Sequence, residues 1–243
     1  MWTDKIYSYC ERGLNPGFWA EPLNAISNAA FFIAAFAGLM LWQRHRYDFS
    51  GALRRSGVEL GLVVLVGVIG AGSFLFHTYA TRWAVVADVV PITVFMIVYL
   101  GYVMRRFIGA GWIVTLLAVG VFMLALREAD MMRCGSGPCL NGSVGYLPAL
   151  AVLAGIGSWM LFTRHAAWAH ILGGAALFAV SLTFRTLDRA ICPQTALFSG
   201  RVLGTHFIWH TCNAMLLYLL MSAAIRFGRI RGEAASGGGT RPR

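Results

Sequence analysis

Residues 58–77 of the chain read VELGLVVLVGVIGAGSFLFH. The run contains a single acid, Glu59, and it ends on a histidine, His77. An α-helix needs about 20 predominantly apolar residues to cross the hydrocarbon core of a bilayer. The stretch therefore predicts a membrane-spanning helix that has an imidazole at one of its ends.

Six further apolar runs accompany this one. Of the 243 residues, 58% are hydrophobic and only 12% are charged, whereas about 25% are charged in a typical soluble domain. We therefore predict an all-α integral membrane protein, a bundle of seven transmembrane helices. The predicted segments are Ala25–Trp42, Val58–His77, Trp83–Tyr102, Trp112–Leu126, Val144–Phe162, Ala169–Leu187 and His206–Ile225.

Basic residues indicate how the bundle is oriented. They are concentrated in the loops after the first, third and fifth segments and in the C-terminal tail, which the positive-inside rule assigns to the cytoplasm. The N-terminus would then lie outside. We expect one domain over residues 1–227, with 1–22 as an outer N-terminal segment and 228–243 as a flexible cytoplasmic tail. The loop arginines are Arg44, Arg46, Arg54, Arg55, Arg105, Arg106 and Arg164.

The net charge of +10 bears on the partners of the protein. We interpret these charges as topology signals that face anionic lipid headgroups, so no nucleic-acid partner is expected. The predicted location is a bacterial cytoplasmic membrane, with a membrane lipid as the substrate and the oligomeric state left open.

Four ionisable residues are expected to share one depth in this bundle. His77 ends the second segment, Asp88 lies near the start of the third, and His206 and His210 begin the last. When helices cross a membrane alternately, these positions emerge on the same face, here the outer one. Ionisable groups inside a membrane are costly and mark a functional site by default.

The residue types at this depth are those of a hydrolytic zinc site. His206 and His210 are four residues apart, which places both rings on one face of a helix. Three histidines with an open fourth position form a catalytic zinc site. Asp88 would take a proton from the attacking water, and Ser73, one turn before His77, would donate a hydrogen bond to an oxyanion. The alternative is a polar cluster that only links helices.

Four cysteines fall on the predicted outer side, where disulfides can form. Four cysteines allow three pairings, and free thiols are a further alternative. A local Cys134–Cys139 bond would leave Cys10 to pair with Cys192, and Cys212 lies within the last helix.

Two other polar groups carry weaker signals. Glu11 and Glu21 precede the first helix, and Glu21 is followed by Asn24 and Asn28 at helical spacing. Carboxylate and amide oxygens suit a hard cation such as Ca²⁺, but interhelical hydrogen bonding is the preferred role for Asn24, Asn28 and the neighbouring Ser27. Asp188, between arginines near the end of the sixth segment, is interpreted as part of an interfacial ion-pair network.

The combination of motifs resembles the alkaline ceramidase family, which belongs to a superfamily of seven-helix membrane hydrolases that includes adiponectin-receptor-like proteins. The shared signature is Ser73-x-x-x-His77, Asp88 and His206-x-x-x-His210. Glu21-Pro-Leu-Asn24 and Phe184-x-x-x-Asp188-x-x-x-Cys192 match the family as well. The likeness extends from Tyr9 to about Tyr218.

The resemblance implies a zinc-dependent enzyme that cleaves the N-acyl amide bond of ceramide or a ceramide-like lipid. His77, His206 and His210 would bind Zn²⁺. Asp88 would be the base or a fourth ligand, and Ser73 an oxyanion or substrate contact.

The resemblance also implies features of the N-terminal segment. Cys10 and Cys192 match a disulfide of the family. Family members bind Ca²⁺ through an acidic N-terminal strip, of which Glu11 and Glu21 match two members. Residues 8–9 are a Ser-Tyr pair where the family has Asp-Trp.

Three functions other than a zinc-dependent ceramide amidase are also compatible with these residues. They are hydrolysis of a different acylated lipid, lipid binding by a receptor-like protein that retains the metal, and electron transfer by a haem held on the histidines. A retinal protein is excluded because Lys5, the only lysine, lies outside every predicted segment.

Overall fold

The protein is described as a computed structural model that covers residues 1–45, 57–135, 137–196 and 202–228. Seven of its helices are long and apolar enough to cross a membrane. The predicted all-α, seven-helix fold class is confirmed, and the chain is an integral, multi-pass membrane protein by these spans.

The seven spans are built from eight α-helices, and two of the spans include a shorter helical piece of another type. A π-helical turn, Met104–Ile108, extends the third span, and a 3-10 segment, Cys139–Tyr146, leads into the fifth. A two-residue antiparallel pair, β1 (Arg133–Cys134) and β2 (Gly137–Pro138), precedes that segment. The α-helices are α1 (Pro22–Ser27), α2 (Ala29–His45), α3 (Gly57–Tyr79), α4 (Arg82–Val103), α5 (Trp112–Met131), α6 (Leu147–Phe162), α7 (Trp168–Leu187) and α8 (His206–Phe227).

The fourth span extends beyond its predicted end. The apolar run suggested an end at Leu126, but α5 continues to Met131. Its last turns carry Arg127, Glu128 and Asp130, and all three are exposed. A helix can continue through charged residues where its end leaves the apolar layer, so the hydrophobic pattern marks the boundary of the layer and not the end of the helix.

Helix α8 lies deepest in the bundle. It packs against α7, α2 and α3, while α3 also packs against α2 and α4. More of its span is buried than of any other span described, 56%. The predicted site residues lie at the C-terminal end of α3, the start of α4 and the start of α8. These three helix ends meet at one end of the bundle, here called the site end.

The N-terminal segment, residues 1–21, lies over this site end. The backbone N–H of Ile6 donates to the carbonyl of Ala80, which connects α3 to α4. A disulfide joins Cys10 to Cys192, and a second joins Cys134 to Cys139. Cys212 is not in a disulfide. The predicted tail, except for Gly228, lies outside the described residues, as do the loop arginines Arg46, Arg54 and Arg55.

Candidate metal centre

Three histidines from two helices meet at the site end. His77 comes from the last turn of α3, and His206 and His210 come from the first turns of α8. One ring nitrogen from each lies within 4.8 Å of the others. All three side chains are almost completely buried. The structure thus brings together the residues that the sequence placed at one depth.

Hydrogen bonds fix the orientation of two of these rings. His77 Nδ1 donates to Glu21 Oε2 over 2.6 Å. His210 Nδ1 lies 2.8 Å from Ser27 Oγ, and Ser27 Oγ donates its own proton to the Asn24 carbonyl. The hydroxyl therefore accepts from Nδ1–H, so that the Nε2 atom of each ring keeps its lone pair.

The free nitrogens of the cluster fit a metal. Within the described part of the chain, His77 Nε2 and His206 Nδ1 are buried without any hydrogen-bond partner. A buried polar atom left unpaired costs about 1–3 kcal/mol. Three buried imidazoles, two of which have hydrogen-bond partners on their outer nitrogens, form a donor set that suits Zn²⁺.

Ser73 and Asp88 lie beside the three histidines. Ser73 Oγ is 3.5 Å from His210 Nε2 and close enough to the Asp88 carboxylate to interact with it. Asp88 is not part of the group whose ligand atoms lie within 4.8 Å of one another. The aspartate is thus placed next to the centre rather than within it.

Gly72 allows α4 to pack closely against α3. A Cβ at Gly72 would lie 1.9 Å from the Ala87 carbonyl oxygen and 3.2 Å from the Asp88 backbone nitrogen. Only a residue without a side chain lets α4 lie so close to α3. Gly72 therefore determines how near Asp88 comes to Ser73.

An apolar cavity extends from the centre into the bundle. Ser73, Asp88 and His210 line it near the site end, and Val103 and Leu220 line it toward the other end. It contains about 920 Å³ of empty space, part of it open to the surroundings. Fifteen residues separate Asp88 from Val103, which corresponds to about 22 Å along a helix. One leaflet of a bilayer is about 15 Å deep, so the residues that line the cavity extend over more than the depth of one leaflet.

Asp188 holds the start of α8. Its side chain accepts backbone N–H groups from Cys10 at 2.9 Å, Thr205 at 2.7 Å and His206 at 3.0 Å. The predicted ion-pair network is therefore wrong, because this buried carboxylate caps a helix N-terminus. The cap connects His206 to the disulfide at Cys10.

The two glutamates of the N-terminal segment have distinct partners. Glu11 accepts the backbone N–H groups of Leu23 and Asn24, at the start of α1. Glu21 is bound by His77, by the Asn24 amide and by Arg12 Nε. Burial by itself raises the pKa of Glu21, but its interactions with His77, Asn24 and Arg12 outweigh burial and hold the pKa below its usual value. The calcium site assigned to these carboxylates stays a prediction at this point.

Three side chains that support the centre were not assigned to it from the sequence. They are Ser27, which accepts from His210; Tyr9, whose ring stacks on His206 with centroids 3.7 Å apart; and Arg12, which binds Glu21. For Ser27 a signal existed, since it stands between Asn24 and Asn28 at the depth of the histidines. Tyr9 and Arg12 lie in an irregular segment, where no periodicity indicates which way a side chain points.

Residues 7–232, most of the chain, match the model of the family described as Ceramidase. Among curated proteins, none matches this chain.

Proposed function

The chain belongs to the ceramidase family, and from this premise we propose that it is a zinc-dependent amidase that hydrolyses the N-acyl bond of ceramide or a ceramide-like lipid within the membrane. The observation that supports this most directly is the position of three buried histidines at one end of a long apolar cavity. Family membership supports an amide hydrolase, and the cavity supports a substrate with a hydrocarbon chain.

His77, His206 and His210 would hold the ion. Zinc bound there supplies Lewis-acid polarisation of the amide carbonyl and activation of water. Glu21 and Ser27 keep the Nδ1 protons of His77 and His210 in place, so that the Nε2 lone pairs face the centre. Such partners of ligating histidines commonly set ring orientation and metal affinity.

Asp88 and Ser73 would handle the proton and the developing charge. Asp88 accepts a proton from water as the water oxygen adds to the acyl carbon, and returns it to the amide nitrogen as the C–N bond breaks. Ser73 donates a hydrogen bond to the carbonyl oxygen while that oxygen is negatively charged. The products are a fatty acid and the free amine of the sphingoid base.

The cavity would hold one hydrocarbon chain of the lipid. Its walls are contributed mainly by apolar side chains of α4, α6, α7 and α8, such as Ile92, Phe95, Ile156 and Leu217. Burying apolar chain surface there is favourable and excludes water from the far side of the carbonyl. The polar atoms are confined to the end at which the amide would lie.

The decisive experiment measures metal and products together. The full chain is purified in a mild detergent, loaded with zinc and incubated with a ceramide, and both products are quantified by mass spectrometry. We expect about one zinc per chain and equal amounts of fatty acid and sphingoid base. His206→Ala should lose most of the zinc and the activity. His170→Ala, on α7 at the far end of the bundle, is the matched histidine control and should retain both.

Alternative results would point to specific other functions. Zinc binding with tight ceramide binding but no product would favour a receptor-like protein. Cleavage of another N-acyl or ester lipid in preference to ceramide would keep the hydrolase and change its substrate. A strong Soret absorbance band would indicate haem on the histidines and contradict the proposal.

A further inference from the structure

Arg12 is a fully enclosed cation next to the candidate centre. Its side chain has no exposed surface. Nε donates to Glu21 Oε1, Nη1 to the carbonyls of Asn15 at 3.2 Å and Gly17 at 2.9 Å, and Nη2 to those of His77 at 2.9 Å and Thr78 at 3.2 Å. A guanidinium has five N–H donors, and here all five are used.

The five acceptors around Arg12 are all oxygens. One is a carboxylate oxygen and four are backbone carbonyl oxygens, which are the ligand types that Ca²⁺ takes in proteins. They include Glu21, one of the two residues to which the family resemblance assigns calcium. A calcium ion bound to these oxygens would lie directly beside the guanidinium, and the two positive charges would repel each other. The residues present therefore do not fit a calcium ion.

We propose that Arg12 is a built-in cation that replaces calcium in this chain and positions the metal ligand His77. The positioning acts through two contacts. Arg12 holds one oxygen of Glu21, whose other oxygen accepts from His77 Nδ1. Arg12 also binds the carbonyls of His77 and Thr78, in the last turn of α3, where helix carbonyls lack partners from the helix itself.

The chemistry of arginine explains why this residue suits the position. Its charge does not titrate in proteins, and its planar fork reaches five acceptors in fixed directions. A lysine offers three donors on one atom and cannot contact both the Glu21 carboxylate and two separate pairs of carbonyls. A covalently attached cation also makes the arrangement independent of the calcium concentration outside the cell.

The replacement itself is tested without zinc chemistry or lipid. Purified protein is titrated with CaCl₂ while its thermal unfolding midpoint is recorded, and with Tb³⁺, a luminescent calcium analogue. The unaltered protein should show no shift of the midpoint and no saturable terbium signal. Arg12→Ala, which leaves the oxygens without their cation, should have a lower midpoint that Ca²⁺ partly restores. Saturable stabilisation of the unaltered protein by Ca²⁺, or no calcium response in Arg12→Ala, would overturn the replacement.

The positioning role rests on the proposed zinc centre and has its own measurement. Zinc affinity, determined by competition with a chelator, should fall about 10- to 100-fold in Arg12→Gln, the usual effect of disturbing a partner of a ligating histidine. Arg12→Lys should recover only part of this loss. Arg82→Gln is the control, because Arg82 lies at the same end of the bundle but has an exposed side chain, and it should bind zinc normally.

The two parts of this inference fail separately. Equal zinc affinity in Arg12→Gln and Arg82→Gln would refute positioning. If neither the unaltered protein nor any variant binds zinc, the proposed function fails. The calcium and terbium titrations would still test whether Arg12 replaces calcium. If Arg12→Ala does not fold, the titrations of the unaltered protein and of Arg12→Lys test whether Arg12 replaces calcium. Neither protein is expected to respond to Ca²⁺, and a saturable response in either would overturn the replacement.

Discussion

The Nδ1 atom of His77 lies 2.6 Å from Oε2 of Glu21, and both side chains are almost fully buried. A carboxylate on the outer nitrogen of a ligating histidine fixes the tautomer and raises the basicity of the other nitrogen. This contact connects the irregular N-terminal segment to the helix that carries the first of the three histidines. The affinity of the proposed centre for zinc should therefore depend on a residue that is not a ligand.

Glu21→Gln tests this dependence. Glutamine can still accept a hydrogen bond, but it lacks the charge that holds both His77 and Arg12. We expect zinc affinity to fall about 10- to 100-fold, measured by chelator competition. Glu128→Gln is the control, because Glu128 is exposed near the end of α5 and should have no effect. Unchanged affinity in Glu21→Gln would mean that the contact does not tune the centre.

Asp88→Asn should separate metal binding from catalysis. An asparagine has nearly the same shape but cannot take a proton from water, so we expect zinc to be retained and turnover to fall about 10²–10⁴-fold, the usual contribution of general acid–base catalysis. Zinc content is measured alongside product formation. Loss of zinc together with activity would instead make Asp88 a fourth ligand.

Ser73→Ala removes a hydroxyl from the cavity wall. If that hydroxyl stabilises the oxyanion, turnover should fall about 10²–10³-fold, as when a single oxyanion donor is removed, with KM and zinc content nearly unchanged. Ser73→Thr keeps a hydroxyl and should retain more activity than the alanine variant. A rate in Ser73→Ala equal to that of the unaltered enzyme would leave Ser73 a structural residue of α3.

The convergence of the three histidines could be predicted from sequence because regular helices determine it. Alternating spans bring the end of α3 and the start of α8 to the same face, and a four-residue spacing places His206 and His210 on one side of a helix. The short connection between α3 and α4 brings Ser73 and Asp88 to the same end of the bundle. The hydrophobic pattern thus positions the three histidines, Ser73 and Asp88, which all lie on helices that span the membrane.

The supporting residues could not be predicted in the same way. The positions of Arg12 and Tyr9 depend on the path of residues 1–21, which has no repeating pattern. Asp188 was expected to pair with neighbouring arginines because they are adjacent in sequence. It instead accepts backbone N–H groups at the start of α8, which have no acceptor within the helix. These hydrogen bonds depend on Gly204, whose φ of +68° turns the chain so that the N–H groups of Thr205 and His206 face the Asp188 carboxylate. The sequence pattern does not indicate such a turn.

Gly72→Ala tests the approach of α4 to α3. The added methyl group would overlap the Ala87 carbonyl, so the helices must separate and Asp88 must move away from Ser73. We expect a lower thermal unfolding midpoint and a loss of turnover of at least about tenfold, since small displacements of catalytic groups are costly. Gly61→Ala on the same helix has no atom within 4 Å of the new Cβ and should behave as the unaltered protein. Equal behaviour of the two variants would show that α4 can shift without consequence.

The disulfide between Cys10 and Cys192 ties the N-terminal segment to the connection that follows α7, 182 residues away in sequence. Replacing both cysteines with serine should lower the unfolding midpoint, since a disulfide typically contributes about 2–4 kcal/mol. It should also weaken zinc binding, because Arg12 lies two residues after Cys10 and binds Glu21, the partner of His77. Calorimetry and chelator competition measure the two effects.

The second disulfide is the control for the first. Cys134 and Cys139 close a short hairpin between α5 and α6, which carry none of the three histidines, so serines there should change zinc affinity little. Non-reducing peptide mapping should find both bonds with Cys212 free. A bond at Cys10 also requires an oxidising compartment, so we expect the N-terminal segment outside and a C-terminal reporter in the cytoplasm. Free thiols at Cys10 and Cys192 in rapidly alkylated protein would contradict the pairing, and a reporter found outside would reverse the predicted orientation.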